Sequence, residues 1–583
     1  MPGSSFALKP HVWELFAFFL LGIHYNRESI IIFCCLRMIS HKFSAKFVRF
    51  GLYLGLCLLC FAFTISCNRE EAKIDRNAVI QNNRVSIGTT LKPRTLDPAD
   101  NYELAGLNII YNVGESLYTY ELGTTEIKPL LATQMPSISE NGLIYKIPLR
   151  NGVKFQDGTP FNAEAMEFSL NRFIANGGKP AFLLGDVVQE IKATEEYELT
   201  ITLKQPFSAF PALLAFPGAC AVSPQAYKIG AGEFNPNTLI GTGKYTLTKF
   251  GSDAIALDVN DNYWGEKPAN NGINMQIYAG NSANLFNSFR TGAVDVAYQS
   301  LDPNQIESLL KGAEQDKWQV TEGSGTNVSY LTLNLQQEPL NKPEVRKAIA
   351  ALIDRTLINQ RVLQGQGEAV YSMIPTAFEV YQPAFQNIYG DADIARAKDL
   401  LVQAGYSSTN PAVVEIWYPS GSITREIVAE TLKAFAEQKL EGAIRFVPSS
   451  VESASFFGNL GKGIYQAALV DWYPDFLDAD NYIQPFLSCN EGSDTTGCTN
   501  GAAQSRGSFY YSDVANNLIK EQRQATEPEA RQTVFSRLQE TLAEDVPYVP
   551  LWQNTDYAFA QNNIAGVTLN PSQNFPFWTI EKQ

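Results

Sequence analysis

The densest chemistry in the chain lies in one decapeptide, Asp471-Trp472-Tyr473-Pro474-Asp475-Phe476-Leu477-Asp478-Ala479-Asp480. Four carboxylates are interleaved with aromatic rings. A carboxylate beside aromatic faces in a cleft that excludes water pairs well with an ammonium group, because a low local dielectric strengthens the attraction. Two other readings fit the same residues. One is an acidic surface turn whose Trp472 packs into the core. The other is a calcium loop on Asp475, Asp478 and Asp480, although the EF-hand spacing and its glycine are absent.

Covalent and acid–base chemistry has little to work with. All three histidines, His11, His24 and His41, precede Cys67, so residues 68–583 contain none. That removes Ser-His-Asp and Cys-His arrangements from this part of the chain. There is no G-x-S-x-G elbow, no P-loop and no G-x-G-x-x-G. Carboxylate pairs of the glycosidase kind stay open, but an acidic chain offers too many to choose among. No catalytic residue, metal site or cofactor is therefore assigned.

The elements that must position the decapeptide alternate between strand and helix. Gln466 to Val470 reads as the strand that leads into it. Upstream, Val85 to Thr90 reads as a first strand, 95–102 as a loop, and Asn108 to Tyr118 as a helix. From Gly142 to Phe173 a whole unit is legible. Leu143, Tyr145, Ile147 and Leu149 alternate as in a half-buried strand, and Asn151-Gly152 and Asp157-Gly158 make turns. Asn162 then caps a helix bearing Met166, Leu170 and Phe173 on one face. Glu198 to Leu203 is another alternating strand. A second block begins near 326, with a strand at 330–335, a helix at 341–355, a helix at 395–406, a strand at 414–418, a helix at 423–439 and a last strand at 548–552. Two such α/β blocks suit two lobes flanking a cleft.

Residues 1–67 stand apart. Lys42, Lys46 and Arg49 precede an apolar run from Gly51 to Phe63, and Thr64-Ile65-Ser66-Cys67 follows. This is the pattern of an export signal with a lipidated Cys67 at the mature N-terminus. The apolar run is short for an uncleaved membrane anchor. Residues 1–37 do not fit a signal, and Met38 is the better start. Residues 68–83 are polar and read as a tether.

Without 1–67, which carries six Lys/Arg and two Asp/Glu, the net charge is −19. So acidic a chain argues against nucleic acid as a partner. The remaining 516 residues exceed one core and imply two or three domains. Cys489 and Cys498 bracket a polar loop, and in an exported protein they read as a local disulfide. Cys220 reads as a small buried residue.

The wording of several segments is more specific than their pattern. Tyr145 to Glu164 (YKIPLRNGVKFQDGTPFNAE) resembles the most recognisable segment of the family 5 extracellular solute-binding proteins, the peptide- and nickel-binding receptors of ABC importers. Other words follow in the family's order over about 85–580. They are Leu96-Asp97-Pro98, Glu115-Ser116-Leu117-Tyr118, Gly241-Thr242-Gly243-Lys244-Tyr245, Tyr263-Trp264 with Lys267-Pro268, Val345 to Arg355, and Ala395 to Tyr406.

This resemblance implies a type II periplasmic-binding-protein fold, two α/β lobes around a cleft plus a smaller α/β domain. Lobe I would comprise 84–113, 238–325 and 551–583, the extra domain 114–237, and lobe III 326–550. Peptide-binding members carry W-x-x-D-[YF]-x-D-P, whose aspartate binds the peptide α-amino group. Trp472 and Asp475 fall on that word, with Tyr473 between them and Ala479 in place of the proline. Asn101, Tyr102 and Glu103 fall on a loop that pairs with an extended peptide. Tyr418 and Arg425 fall where side chains line the cleft, and Arg425 can meet a ligand carboxylate or remain a solvated helix charge.

The resemblance thus implies a monomeric, lipid-anchored receptor at the periplasmic or outer face of a bacterial membrane. It would bind short peptides and pass them to an ABC permease and its ATPase. The alternatives are a sugar or metal chelate on the same fold, or a secreted hydrolase. Nickel-binding relatives often use a histidine, which 68–583 lacks.

Overall fold

Two long strands organise the described part of the chain, residues 83–298 and 301–583 of this computed structural model. The expectations for 1–67, for Cys67 and for all but the last residue of the tether lie outside the described residues. Gln319–Leu333 and Tyr548–Ala560 run antiparallel, from Gln319 opposite Ala560 to Thr332 opposite Tyr548. The pairing slips between Ser324 and Val328, so four steps on one strand oppose two on the other. Such a bulge bends and twists a ladder locally. Sequence pattern located only 330–335 and 548–552. The remainder, including Thr321-Glu322-Gly323-Ser324-Gly325, is polar and glycine-containing and has no apolar alternation.

Beside Tyr548–Ala560 lie, in order, Val296–Tyr298, Val85–Thr89, Ile273–Ile277, Ala254–Val259 and Tyr245–Phe250. Beside Gln319–Leu333 lie Ala467–Trp472, Ala412–Pro419 and Ile444–Val451, and Gly367–Ala369 adds to Tyr548–Ala560. The two α/β blocks read from the sequence are therefore halves of one 11-stranded sheet. The first half is built on Val85, Ile87, Ile109 and Phe575, all buried, and the second on Val328, Tyr330, Ile416 and Phe486.

A separate four-stranded antiparallel sheet, in the order Ser137–Ile138, Ile144–Pro148, Glu198–Leu203, Val188–Glu195, forms the smaller region. Helix Ala163–Ala175 contacts its strands and turns Met166, Leu170 and Phe173 inward. The Asn162 side chain accepts from the Ala165 amide at 3.0 Å, and Gly152 and Gly158 take φ of 74° and 87° in the two turns. This region is not isolated from the second half of the sheet. The rings of Phe207 and Phe476 meet edge-on at 6.0 Å, and the Tyr120 hydroxyl accepts from the Leu477 amide at 2.9 Å.

Two helices differ from the sequence reading. The helix expected at 108–118 spans Leu104–Val113 and ends at an extended Gly114. A Cβ there would lie 2.8 Å from the Cys220 sulfur, so the chain leaves the helix against a neighbour that tolerates only glycine. The helix expected at 341–355 divides into Pro343–Leu352 and Arg355–Arg361, because Asp354 leaves the first and caps the second through the Leu357 amide at 2.7 Å.

The segments that resemble family words meet in the interior. Glu115 is buried and accepts from Thr242 Oγ at 2.7 Å, Tyr263 Oη at 2.7 Å and Trp264 Nε1 at 2.9 Å. Burial raises its carboxyl, while the three donors oppose that rise. Asp97 lies equally deep and forms a two-pronged pair with Arg172 at 2.6 and 2.8 Å. The final segment returns to the first half of the sheet, where Asn112 bridges Phe575 and Phe577 and Asn270 holds the carbonyls of Phe577 and Ile580. Cys489 and Cys498 form a disulfide, and Cys220 is buried with its thiol pushed up to about 12.

Candidate functional site

The strand Ala467–Trp472 delivers the acidic–aromatic decapeptide to a cavity of about 1050 Å³. Its walls come from every part of the fold. Leu91 and Tyr102 belong to the first half of the sheet, Phe182 and Phe216 to the smaller region, Trp472 to Asp475 and Arg506 to the second half, and Asn554 to Tyr557 to a crossing strand. A concave, largely apolar site with few polar groups is the usual form of a small-ligand pocket.

Asp475 faces Tyr102 across this space. The tyrosine hydroxyl donates to its carboxylate, joining residues from opposite sides of the cavity. The Asp475 amide donates to Asn481 Oδ1 at 2.9 Å, which fixes the turn despite Ala479. Burial pushes the Asp475 carboxyl up, against the Tyr102 and Asn481 hydrogen bonds and the Arg506 charge. Trp472 is 7% exposed and packs edge-on against Phe486 at 5.3 Å. Tyr473 is 52% exposed and stands in the cavity wall. Its hydroxyl is pushed up to about 12 by the enclosure of the cleft and by Asp471 and Asp556.

The other acidic residues of the decapeptide have structural partners. Asp471 pairs with Arg425 and accepts from Ser329 Oγ at 2.8 Å. Asp478 takes both prongs of Arg531 at 2.6 and 2.8 Å, and Asp480 both prongs of Arg523 at 2.6 and 2.8 Å. Arginine forks thus occupy the oxygens of Asp478 and Asp480, two of the three carboxylates that the calcium reading required. Among the described residues no group of three or more His, Cys, Asp or Glu can hold a metal ion.

The remaining sequence-predicted positions divide. Tyr102 and Glu103 line the cavity, with Glu103 also paired to Arg94 at 3.0 Å. Asn101 does not line it. That side chain is fully buried, donating to the Thr95 carbonyl at 2.7 Å and accepting from the Glu103 amide at 3.3 Å, so it shapes the loop. Tyr418 does not line it either, because its strand turns the ring into the core at 7% exposure. Arg425 lines a side pocket of about 250 Å³ that shares Asp471, Asn554 and Thr555 with the main cavity. There its two terminal nitrogens pair with Ser422 and Asp471, so it is not a solvated helix charge, while its buried Nε has no hydrogen-bond partner among the described residues.

Two cavity residues were not anticipated. Arg506 lays its guanidinium 4.4 Å over the Trp472 ring, and that guanidinium has no ion pair or hydrogen bond among the described residues. Asp556 is half-buried in the wall, and burial alone pushes its carboxyl up to about 7. Among the described residues its carboxylate too has no hydrogen bond or ion pair. Neither carried a sequence signal. Arg506 sits in a Gly/Ser loop, and Asp556 in a polar run that did not read as strand.

Two lobes sharing crossing strands around a cleft define a ligand-binding receptor of the type II periplasmic-binding-protein class. The model for bacterial extracellular solute-binding proteins, family 5 (middle region), matches residues 126–494, and the chain belongs to that family. A probable D,D-dipeptide-binding periplasmic protein of Escherichia coli is 26% identical over 85% of this chain and 93% of its own. The heme-binding protein A of Haemophilus influenzae is 25% identical over 87% and 93%. Among solved structures, the periplasmic binding protein DppA of Helicobacter pylori in complex with the peptide STSA superposes with a TM-score of 0.69, at 24% identity, over 87% of this chain and 99% of that one. No helix among the described residues is long and apolar enough to cross a membrane.

Proposed function

We propose that the protein is the receptor of an ABC importer and binds short peptides in the cavity between its lobes. The observation that carries this reading is Asp475, a buried carboxylate held by Tyr102 across the cavity and flanked by Trp472 and Tyr473. In this reading Asp475 receives the peptide α-amino group. Arg506, stacked on Trp472 and unpaired among the described residues, receives a ligand carboxylate in the role first expected of Arg425. The Tyr102–Asp475 contact closes the lobes over the ligand, and the bulged crossing strands absorb the hinge motion.

The protein is a monomer that releases its ligand unchanged to the permease and its ATPase. It stands at the periplasmic or outer face of the membrane, anchored by lipid on Cys67. The family assignment and the names of the relatives support a binding role over turnover.

Native mass spectrometry of the protein purified with its own ligand tests this directly. A short peptide mass, displaced in Asp475→Ala, is expected. A sugar, a metal chelate, or a peptide whose binding survives Asp475→Ala overturns it.

A further inference from the structure

Of the four carboxylates that line the main cavity, three are engaged. Glu103 is held by Arg94 at 3.0 Å and Lys179 at 3.6 Å, Asp471 by Arg425, and Asp475 by Tyr102 with Arg506 acting on its charge. Asp556 is different. Its carboxylate lines the cavity, and among the described residues no cation or donor reaches it. It sits opposite Gly323, where the crossing strands pass between the lobes and just before their pairing slips. A Cβ on nearby Gly325 would lie 2.6 Å from the Asn554 carbonyl oxygen and 3.3 Å from the Asp556 carboxylate, so only glycine lets the strand pass this close.

Tyr473, exposed, lines the same cavity, and the Asp556 charge helps to raise its hydroxyl. A buried carboxylate without a partner is costly and is compensated when an opposite charge arrives. A bare carboxylate beside an exposed tyrosine in a ligand cavity is therefore complementary to a cationic group on the ligand. The α-amino group does not answer this need, because Asp475 takes it in the reading proposed above.

We infer that Asp556 is a second cation subsite of the cavity and selects ligands carrying a basic side chain, lysine- or arginine-like, in addition to the α-amino group. This assignment rests on the peptide reading of the same cavity. Asp475 anchors the end of the ligand, and Asp556 sets which ligands are preferred. The Tyr473 ring flanks the bound cation.

The test is a competition between two peptide pools of two to four residues, read by native mass spectrometry on ligand-stripped protein. In one pool a position after the first is lysine. In the other it is norleucine, the same chain without the ammonium group. Native protein is expected to prefer the lysine pool about tenfold or more, as one close buried charge pair supplies. In Asp556→Asn that preference falls to near unity while the norleucine pool binds as before. In Asp475→Asn both pools weaken together. Acetylating the peptide N-terminus abolishes the Asp475 dependence and leaves the Asp556 dependence intact.

Equal binding of both pools by the native protein, or a lysine preference that survives Asp556→Asn, overturns the subsite and leaves the peptide reading standing. Binding of neither pool overturns both.

Discussion

Replacing Asp556 by asparagine should stabilise the empty receptor at neutral pH. Burial pushes this carboxyl from its ordinary 3.8 to about 7 in the folded protein. An acid whose folded value is raised stabilises the fold fully only below the unfolded value, and that stability drains away as pH climbs through the folded value. Between pH 4 and pH 8 the native protein should therefore lose stability that the amide does not lose. At 1.36 kcal/mol per unit the full shift corresponds to about 4 kcal/mol. The carboxylate keeps partial contact with solvent in the cavity, which lowers this to about 2 kcal/mol. For a folded unit of this size that is a rise of about 2 °C in Tm. The assay is thermal unfolding of ligand-stripped native and Asp556→Asn protein at pH 4 and pH 8. The expected result is a higher Tm for the variant at pH 8 and no difference at pH 4. A variant equal to or less stable than the native protein at pH 8 would show that the carboxylate is already compensated and would refute the reasoning.

Asp475→Ala should weaken binding of a short peptide by about 30-fold or more, measured by titration calorimetry, since truncating one partner of a buried charge pair costs about 2–5 kcal/mol. Asp97→Ala strands the buried Arg172 fork and should cost about 3–5 kcal/mol in denaturant unfolding, whereas an exposed pair such as Lys311–Glu307 should cost about 0.5 kcal/mol or less. Gly178→Ala places a Cβ against the Ala99 carbonyl, so it should shift the loop bearing Tyr102 and reduce peptide affinity while the smaller sheet stays folded by circular dichroism. Removing the Cys489–Cys498 bridge, which spans nine positions, should lower stability by about 2–3 kcal/mol in non-reducing denaturant titration and leave affinity unchanged.

Local chemistry made some of this legible in advance. The Gly142–Phe173 unit could be read because Asn162, Gly152 and Gly158 each fix a backbone conformation by themselves, and because Tyr145 and Ile147 alternate over a buried face. The segment 471–480 stood out because aromatic and acidic residues crowd it, and the family resemblance singled out Trp472 and Asp475 within it. Other features depended on distant partners. Nothing near Arg425 announces that Asp471 occupies it, and nothing near Asn101 announces that the Thr95 carbonyl does. The crossing strands were hidden because their bulged middle is polar and carries no alternation, and on one of them Asn554 to Tyr557 line the cavity. That hidden stretch is also where Asp556 lies.

The last residues also govern when the molecule can come into being. Lys582 donates its amide to Asn83 Oδ1, and the two residues are 499 positions apart. Strand Val85–Thr89 is flanked by strands from 273–277 and 296–298, and the latter is closed in turn by Ala558 to Ala560. The lobe that begins the fold is thus the last that synthesis can complete. Contacts this remote in sequence form slowly, since a very long loop must close before they contribute. A chain crossing a membrane N-terminus first would therefore keep this lobe open until residues 558–582 had emerged.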